Sequence, residues 1–199
     1  MRLRFLCLFL GVLAPLARAT TVQPPNFPEL VGEADAIYRG QVTGVEARRV
    51  ARPDGGSTIK TFVTVSIDRV LKGTEEKNVT LEFLGGTIGD ETLDVGGMPK
   101  FIVGEKGILF VQRNGRQFCP LVRLGHGSYR IEKDPASGRD YVARANRAPL
   151  QDVADVEAPL SEHAARSTPA DVSRALSPAT FESRIVNEVR SPTLRARIN

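Results

Sequence analysis

Few side chains in this chain could carry out chemistry. Its 199 residues include two histidines, His126 and His163, and two cysteines, Cys7 and Cys119. Gly125-His126-Gly127-Ser128 sets an imidazole near a hydroxyl, the two groups from which a base-activated nucleophile is made. No nucleophile elbow surrounds the serine, so the segment reads as a glycine-flanked surface turn. The histidines lie far apart on unlike segments and Cys119 has no second thiol to work with, so ligand spacing for a metal is missing. Gly85-Gly86-Thr87-Ile88-Gly89-Asp90 has the glycine content of a phosphate loop. It lacks both the following Lys-Ser/Thr and the amphipathic helix such a loop needs. Glu75-Glu76 and Asp90-Glu91 are paired carboxylates in polar turns, where solvent keeps both ionised, whereas acid-base work needs an apolar pocket. Cys119, beside Phe118 and before Pro120, reads as a small buried apolar residue. These residues predict no catalytic centre, no metal and no cofactor, and the expectation is a non-enzymatic protein.

The address comes from the first nineteen residues. Arg2 and Arg4 precede an apolar run over 5–13, and Ala17-Arg18-Ala19 has the small-residue pattern of a cleavage site. This predicts a secretory signal peptide over 1–19 and an exported, secreted or periplasmic product of about 180 residues. The apolar run is shorter than the roughly 20 residues a membrane-spanning helix needs, and no later stretch is a better candidate. Cleavage removes Arg2, Arg4 and Arg18 from the 27 Lys+Arg of the chain, leaving 24 against 23 Asp+Glu. That near balance lacks the basic excess that drives nucleic-acid binding. With Cys7 lost, one thiol remains, so no internal disulfide is possible and an apolar core must hold the fold.

The elements that would position any site run mainly over 20–144. Pro24 and Pro25 keep the start extended. Asn26 predicts an N-cap for a short helix over 28–33, with Glu29 completing a capping box. A strand follows from Ala36, and its parity slips near Thr43-Gly44, which predicts a bulge or sharp coil. After the turn residues 52–56, Ile59, Thr61, Val63, Val65 and Ile67 alternate with polar neighbours as a half-buried strand should. Val79, Leu81 and Phe83 share the face of a third strand. Asn114-Gly115 predicts a hairpin between 108–112 and 116–118. A second hairpin is expected from 129–131 to Tyr141-Val142. Six or seven short antiparallel strands with a marked coil predict a mainly β fold, a small OB-fold-like barrel with a short N-terminal helix and a C-terminal helical appendage.

Composition shifts after Arg144. Residues 145–167 read as a linker and 168–199 as a helical segment, with helix starts at Thr168-Pro169 and Ser177-Pro178. Phe181, Ile185, Val186 and Val189 form an apolar stripe at helical spacing, suited to packing on the barrel or to docking a partner.

In order and spacing, 34–42 (ADAIYRGQV), 70–73 (VLKG) and 93–104 (LDVGGMPKFIVG) resemble the N-terminal domain of the tissue inhibitors of metalloproteinases. The core is also similar to a broad set of exported bacterial proteins. The inhibitor resemblance covers roughly 20–118 and implies an OB-fold barrel. It further implies a mature N-terminus that enters a protease cleft, where amine and carbonyl chelate the zinc. Thr20-Thr21-Val22-Gln23-Pro24 keeps that family's proline but neither of its cysteines, nor their disulfide partners, so the ridge lacks the family's anchor.

Two functions follow as expectations. One is an exported binding module recognising a protein or envelope partner. The other is a regulator of an exported metalloprotease. The residues expected to meet a partner are Thr20, Thr21, Val22, Pro24, Met98 and Pro99, together with Phe181, Ile185 and Val189 on the last helix.

Overall fold

Local capping sets the first element of the structure, a computed structural model that describes residues 22–161 and 166–191. Helix α1, Phe27–Glu33, starts at Asn26, whose side chain accepts from the Glu29 N–H while the Glu29 carboxylate accepts from the Asn26 N–H. This is the predicted capping box. The segment read as a signal peptide, with Thr20 and Thr21, lies outside the described residues.

Strand β1, Ala36–Ala51, and strand β2, Ser57–Lys72, form a long antiparallel ribbon joined by the turn expected at 52–56. Their register shifts three times, and one shift skips Thr43, where the sequence parity slips. At Gly40 the strands come so close that a Cβ would lie 2.3 Å from the Ser66 carbonyl oxygen, so no larger residue fits. Strand β3, Asn78–Leu84, pairs with β2, and strand β6, Lys106–Val111, pairs with β1. Strands β7, Ser128–Lys133, and β8, Asp140–Arg144, form the second predicted hairpin. The six-stranded order is β3-β2-β1-β6-β7-β8. A separate two-stranded sheet, β4 (Gly86–Ile88) with β5 (Glu91–Leu93), fills the glycine-rich excursion.

The expected OB-fold barrel is overturned. Closure would need β3 to bond to β7 or β8, and neither pairing exists. Residues 112–119 occupy the outer edge of β3 instead. Asn114 accepts from the Glu82 N–H at 3.1 Å and donates to the Thr80 carbonyl at 2.8 Å, and the Leu84 N–H donates to Phe118 O at 2.7 Å. The same contacts account for the missing hairpin at Asn114-Gly115: the turn residue is spent on a neighbouring strand, and 116–118 form no strand. The outer edge of β8 is met by Ala148, Leu150 and Leu176. The chain is therefore a mixed α/β protein with an open sheet, and the mainly β assignment is corrected with the barrel.

An open sheet has two faces to bury, and both are buried here. Ile108 and Phe110 point to one core, Leu109 and Val111 to the other. The first core is roofed by α1 and by helix α3, Pro178–Arg190, whose Phe181 ring lies 5.0 Å from Tyr129 and 6.1 Å from Phe27, centroid to centroid. Leu150 and Val156, in the stretch read as a linker, are fully buried in this core. Helix α2, Pro169–Arg174, starts at Thr168 with Asp171 completing its capping box, and the Arg139 guanidinium donates to the carbonyls of Val172, Ser173 and Ala175 at its end. Among the described residues, no helix is long and apolar enough to cross a membrane.

Candidate functional site

The second core gathers Tyr38, Val42, Val63, Val65, Leu81 and Phe83. No helix covers it. Its roof is the loop after β5, through which Val95, Met98 and Phe101 fold back over the strands; Phe101 stacks at 5.2 Å on Phe83. Between this loop, the β4–β5 hairpin and the ribbon lies a cleft of about 370 Å³. Val45, Val63, Phe83, Val95, Met98 and Phe101 give it apolar walls. Its threonines are engaged locally: the Thr61 hydroxyl donates to Gly85 O at 2.7 Å, and the Thr87 and Thr92 hydroxyls share one hydrogen bond at 3.0 Å. Asp94 and Lys100 are the only titratable side chains on the lining, and both are exposed. A cleft built this way can take up an apolar group between its walls, with a carboxylate and an ammonium at its edge.

Large apolar side chains stand in the open around the cleft. Val45 and Leu93 line it at 40% and 36% exposure, while Ile102 (62%) and Val103 (59%) directly follow Phe101. The Gly104 N–H donates to Val42 O and the Val42 N–H to Glu105 O, which ties the Ile102-Val103 turn to β1.

A second feature adjoins the loop. Arg123 and Leu124 both adopt left-handed backbone, at φ 45° and 60°, a costly arrangement for two successive non-glycine residues. The Arg123 guanidinium bonds the Glu33 carboxylate, pairs with Glu29 at 3.4 Å, and donates to the carbonyls of Gln23 at 3.3 Å and Pro24 at 3.4 Å. Leu124 sits against Gly97, 3.2 Å from the place its Cβ would occupy. The extended start of the described chain and the Gly97-Met98-Pro99 loop thus meet at Arg123-Leu124. An ion-pair clamp holds the segment that has no cysteine to anchor it.

The residues predicted to meet a partner are dispersed. Met98 and Pro99 are half-buried on the cleft, and Val22 and Pro24 lie half-buried in the clamped segment. Phe181 and Ile185 are fully buried in the helix-covered core, so their side chains are spent on packing. Val189, 37% exposed, is the one member of the stripe that stands open. Between Phe181 and Ile185, Glu182 is also buried and bonds Arg39 of β1 at 2.9 Å and Arg69 of β2 at 2.8 Å, fastening α3 to the ribbon. Sequence reasoning missed Val45, Leu93 and Arg123. Val45 was visible as the apolar residue that takes over the strand after the slip at Thr43, but nothing local marks Arg123.

Gly125-His126-Gly127-Ser128 corrects another expectation. It lies on a short 3-10 turn with His126 buried, not at the surface. Among the described residues the imidazole Nδ1 has no hydrogen-bond partner. Burial, then the positive charges of Arg144 and Arg123, push its pKa down to about 4, so the ring is neutral at pH 7. Cys119 is buried in the second core, and burial pushes its thiol up to about 11, which keeps it unreactive. Phe62, on the polar face of β2, lies under the Arg48 guanidinium at 3.9 Å. Among the described residues, no group of three or more His, Cys, Asp or Glu could hold a metal ion.

Fold and site together define a mixed α/β protein with an apolar cleft on the uncovered face of its sheet. No protein-family model matches the chain, and no curated protein matches it.

Proposed function

We propose that this chain is an exported binding module without a reaction centre, and that it meets a protein partner on the rim of the apolar cleft, at Val45, Leu93, Met98, Pro99, Ile102 and Val103. The observation that carries the reading is the gathering of exposed apolar side chains along the face of the sheet that no helix covers. Exposed apolar side chains next to one another mark interaction surfaces more often than scattered ones do. Export rests on the leader-like first nineteen residues. A photo-crosslinking residue at position 102 or 93, in the full chain exposed to its own envelope and medium, should give one common adduct. Unlabelled protein should compete that adduct away, and the Val103→Asp variant should not. Adducts formed equally from position 173 on α2, or none from 102 and 93, would reject the surface.

A second reading, regulation of an exported metalloprotease through residues 20–24, is favoured by one observation: Arg123 holds the Gln23 and Pro24 carbonyls where the Met98-Pro99 loop also arrives. The family resemblance lends it less, since the barrel implied by that resemblance is not the fold. Inhibition that survives an extra alanine before Thr20 would eliminate a chelating amine.

A further inference from the structure

We infer that the cleft is a seat for one bulky apolar side chain of the partner, aromatic or long aliphatic, presented on an extended segment with a basic residue on one side of it and an acidic residue on the other. The inference rests on the rim being the binding surface and adds what enters it. About 370 Å³ lies within the range of roughly 300–1,000 Å³ that small-ligand sites span. The Thr61 hydroxyl is spent on Gly85 O, and the Thr87 and Thr92 hydroxyls bond each other near the exposed rim. The inner walls are Val63, Phe83, Met98 and Phe101, so the interior chiefly rewards apolar surface.

The mouth is different. Asp94 and Lys100 stand exposed on the same loop, and among the described residues neither carboxylate nor ammonium has an ion-pair or hydrogen-bond partner. A lone acyl chain offers one negative charge at most and leaves Asp94 unanswered. A peptide with one charge of each sign flanking its apolar residue answers both, and that complementarity selects a protein segment as the occupant.

The outer wall is a small hairpin laid against the ribbon. The β4–β5 ladder does not join the main sheet; it follows β3 through Gly85 and Gly86 at φ 97° and 134°, a backbone that other residues rarely adopt. The Gly85 N–H donates to Ile59 O at 2.8 Å, the Thr61 hydroxyl donates to Gly85 O, and an exposed ion pair, Arg49 with Glu91, ties the hairpin to β1. A two-stranded hairpin on its own is marginal in water, so this wall takes its position from these contacts with the ribbon.

The test uses the full chain and N-phenyl-naphthylamine, an uncharged apolar fluorophore. Wild type should bind it saturably. Val45→Asp and Leu93→Asp, at positions exposed enough to leave folding intact, should each weaken binding by about tenfold or more, the factor that corresponds to losing a partly buried apolar contact. Val189→Asp, equally exposed but on α3, should leave it unchanged. Acetylated, amidated Lys-Phe-Asp should displace the dye at several-fold lower concentration than Ala-Phe-Ala, and the double variant Asp94→Asn, Lys100→Gln should erase that preference. Non-saturable dye binding, or equal binding by all three aspartate variants, overturns the seat. Displacement by a medium-chain fatty acid but by neither peptide assigns the cleft to acyl chains and overturns the peptide occupant. The dye needs no partner, so loss of the seat while crosslinks at position 102 persist would sink this inference and spare the surface.

Discussion

The two faces of one sheet follow different fates. Strands β1, β2 and β6 feed both, since alternate side chains go to opposite sides. On one side, α1 and α3 close over Phe110, Tyr129 and Val142, and the buried acid Glu182 ties the cover down. On the other, the loop after β5, the β4–β5 hairpin and the 119–124 segment pack against the strands, and a cleft is left. The difference teaches how burial is divided: the helix-covered face is sealed, and the loop-covered face keeps apolar surface in contact with water.

That division can be broken by substitution. Phe181→Ala removes the ring at the centre of the aromatic cluster and should cost about 3–5 kcal/mol of stability, measured by urea denaturation. A loss under 1 kcal/mol would mean that α3 is not the cover it looks to be. Glu182→Ala leaves two arginines without their acid; because Arg39 and Arg69 reach solvent, the expected loss is nearer about 2–3 kcal/mol than the full cost of breaking a buried pair.

A pH titration probes the same fold without a mutation at α3. The folded His126 ring refuses a proton until about pH 4, whereas in the unfolded chain it accepts one near 6.5. Its contribution is therefore complete above the unfolded value and is lost as pH falls through the window from 6.5 to about 4. Discounted for nearby solvent, the loss should be on the order of 2 kcal/mol. His126→Gln should flatten that part of the stability curve, and an unchanged slope would assign it to other groups. The smallest effect belongs to the open face: Val45→Asp and Leu93→Asp should each change stability by under about 0.5 kcal/mol while weakening dye binding about tenfold or more. A large stability loss there would show that both faces hold the fold equally.

Local chemistry was legible in the sequence. The caps of α1, α2 and α3, the bulge at Thr43 and the alternation of β2 all follow from residues within a few positions of one another. The failures are choices between distant partners. Counting strands cannot say whether β7 bonds β3, which would move toward closing a barrel, or β8, which leaves the sheet open. Asn114-Gly115 has the turn signal of a hairpin, but the nearby edge of β3 uses the Asn114 amide first. His126 between two glycines reads as surface, and its burial beside Arg144 comes from a strand far along the chain. For the cleft, Met98 and Pro99 were found through motif likeness, whereas Leu93 and Val45 become neighbours only when the hairpin folds against the ribbon.

The occupied flanks of β3 and β8 carry one more consequence. Because Asn114, Phe118, Leu150 and Leu176 already meet main-chain groups there, a foreign strand finds little to zip onto along either outer border. The molecule is thereby guarded against fibril-like stacking on those borders when it is crowded. Strand addition at those borders is likewise disfavoured as a way of meeting another chain, which agrees with the proposed seat in the cleft.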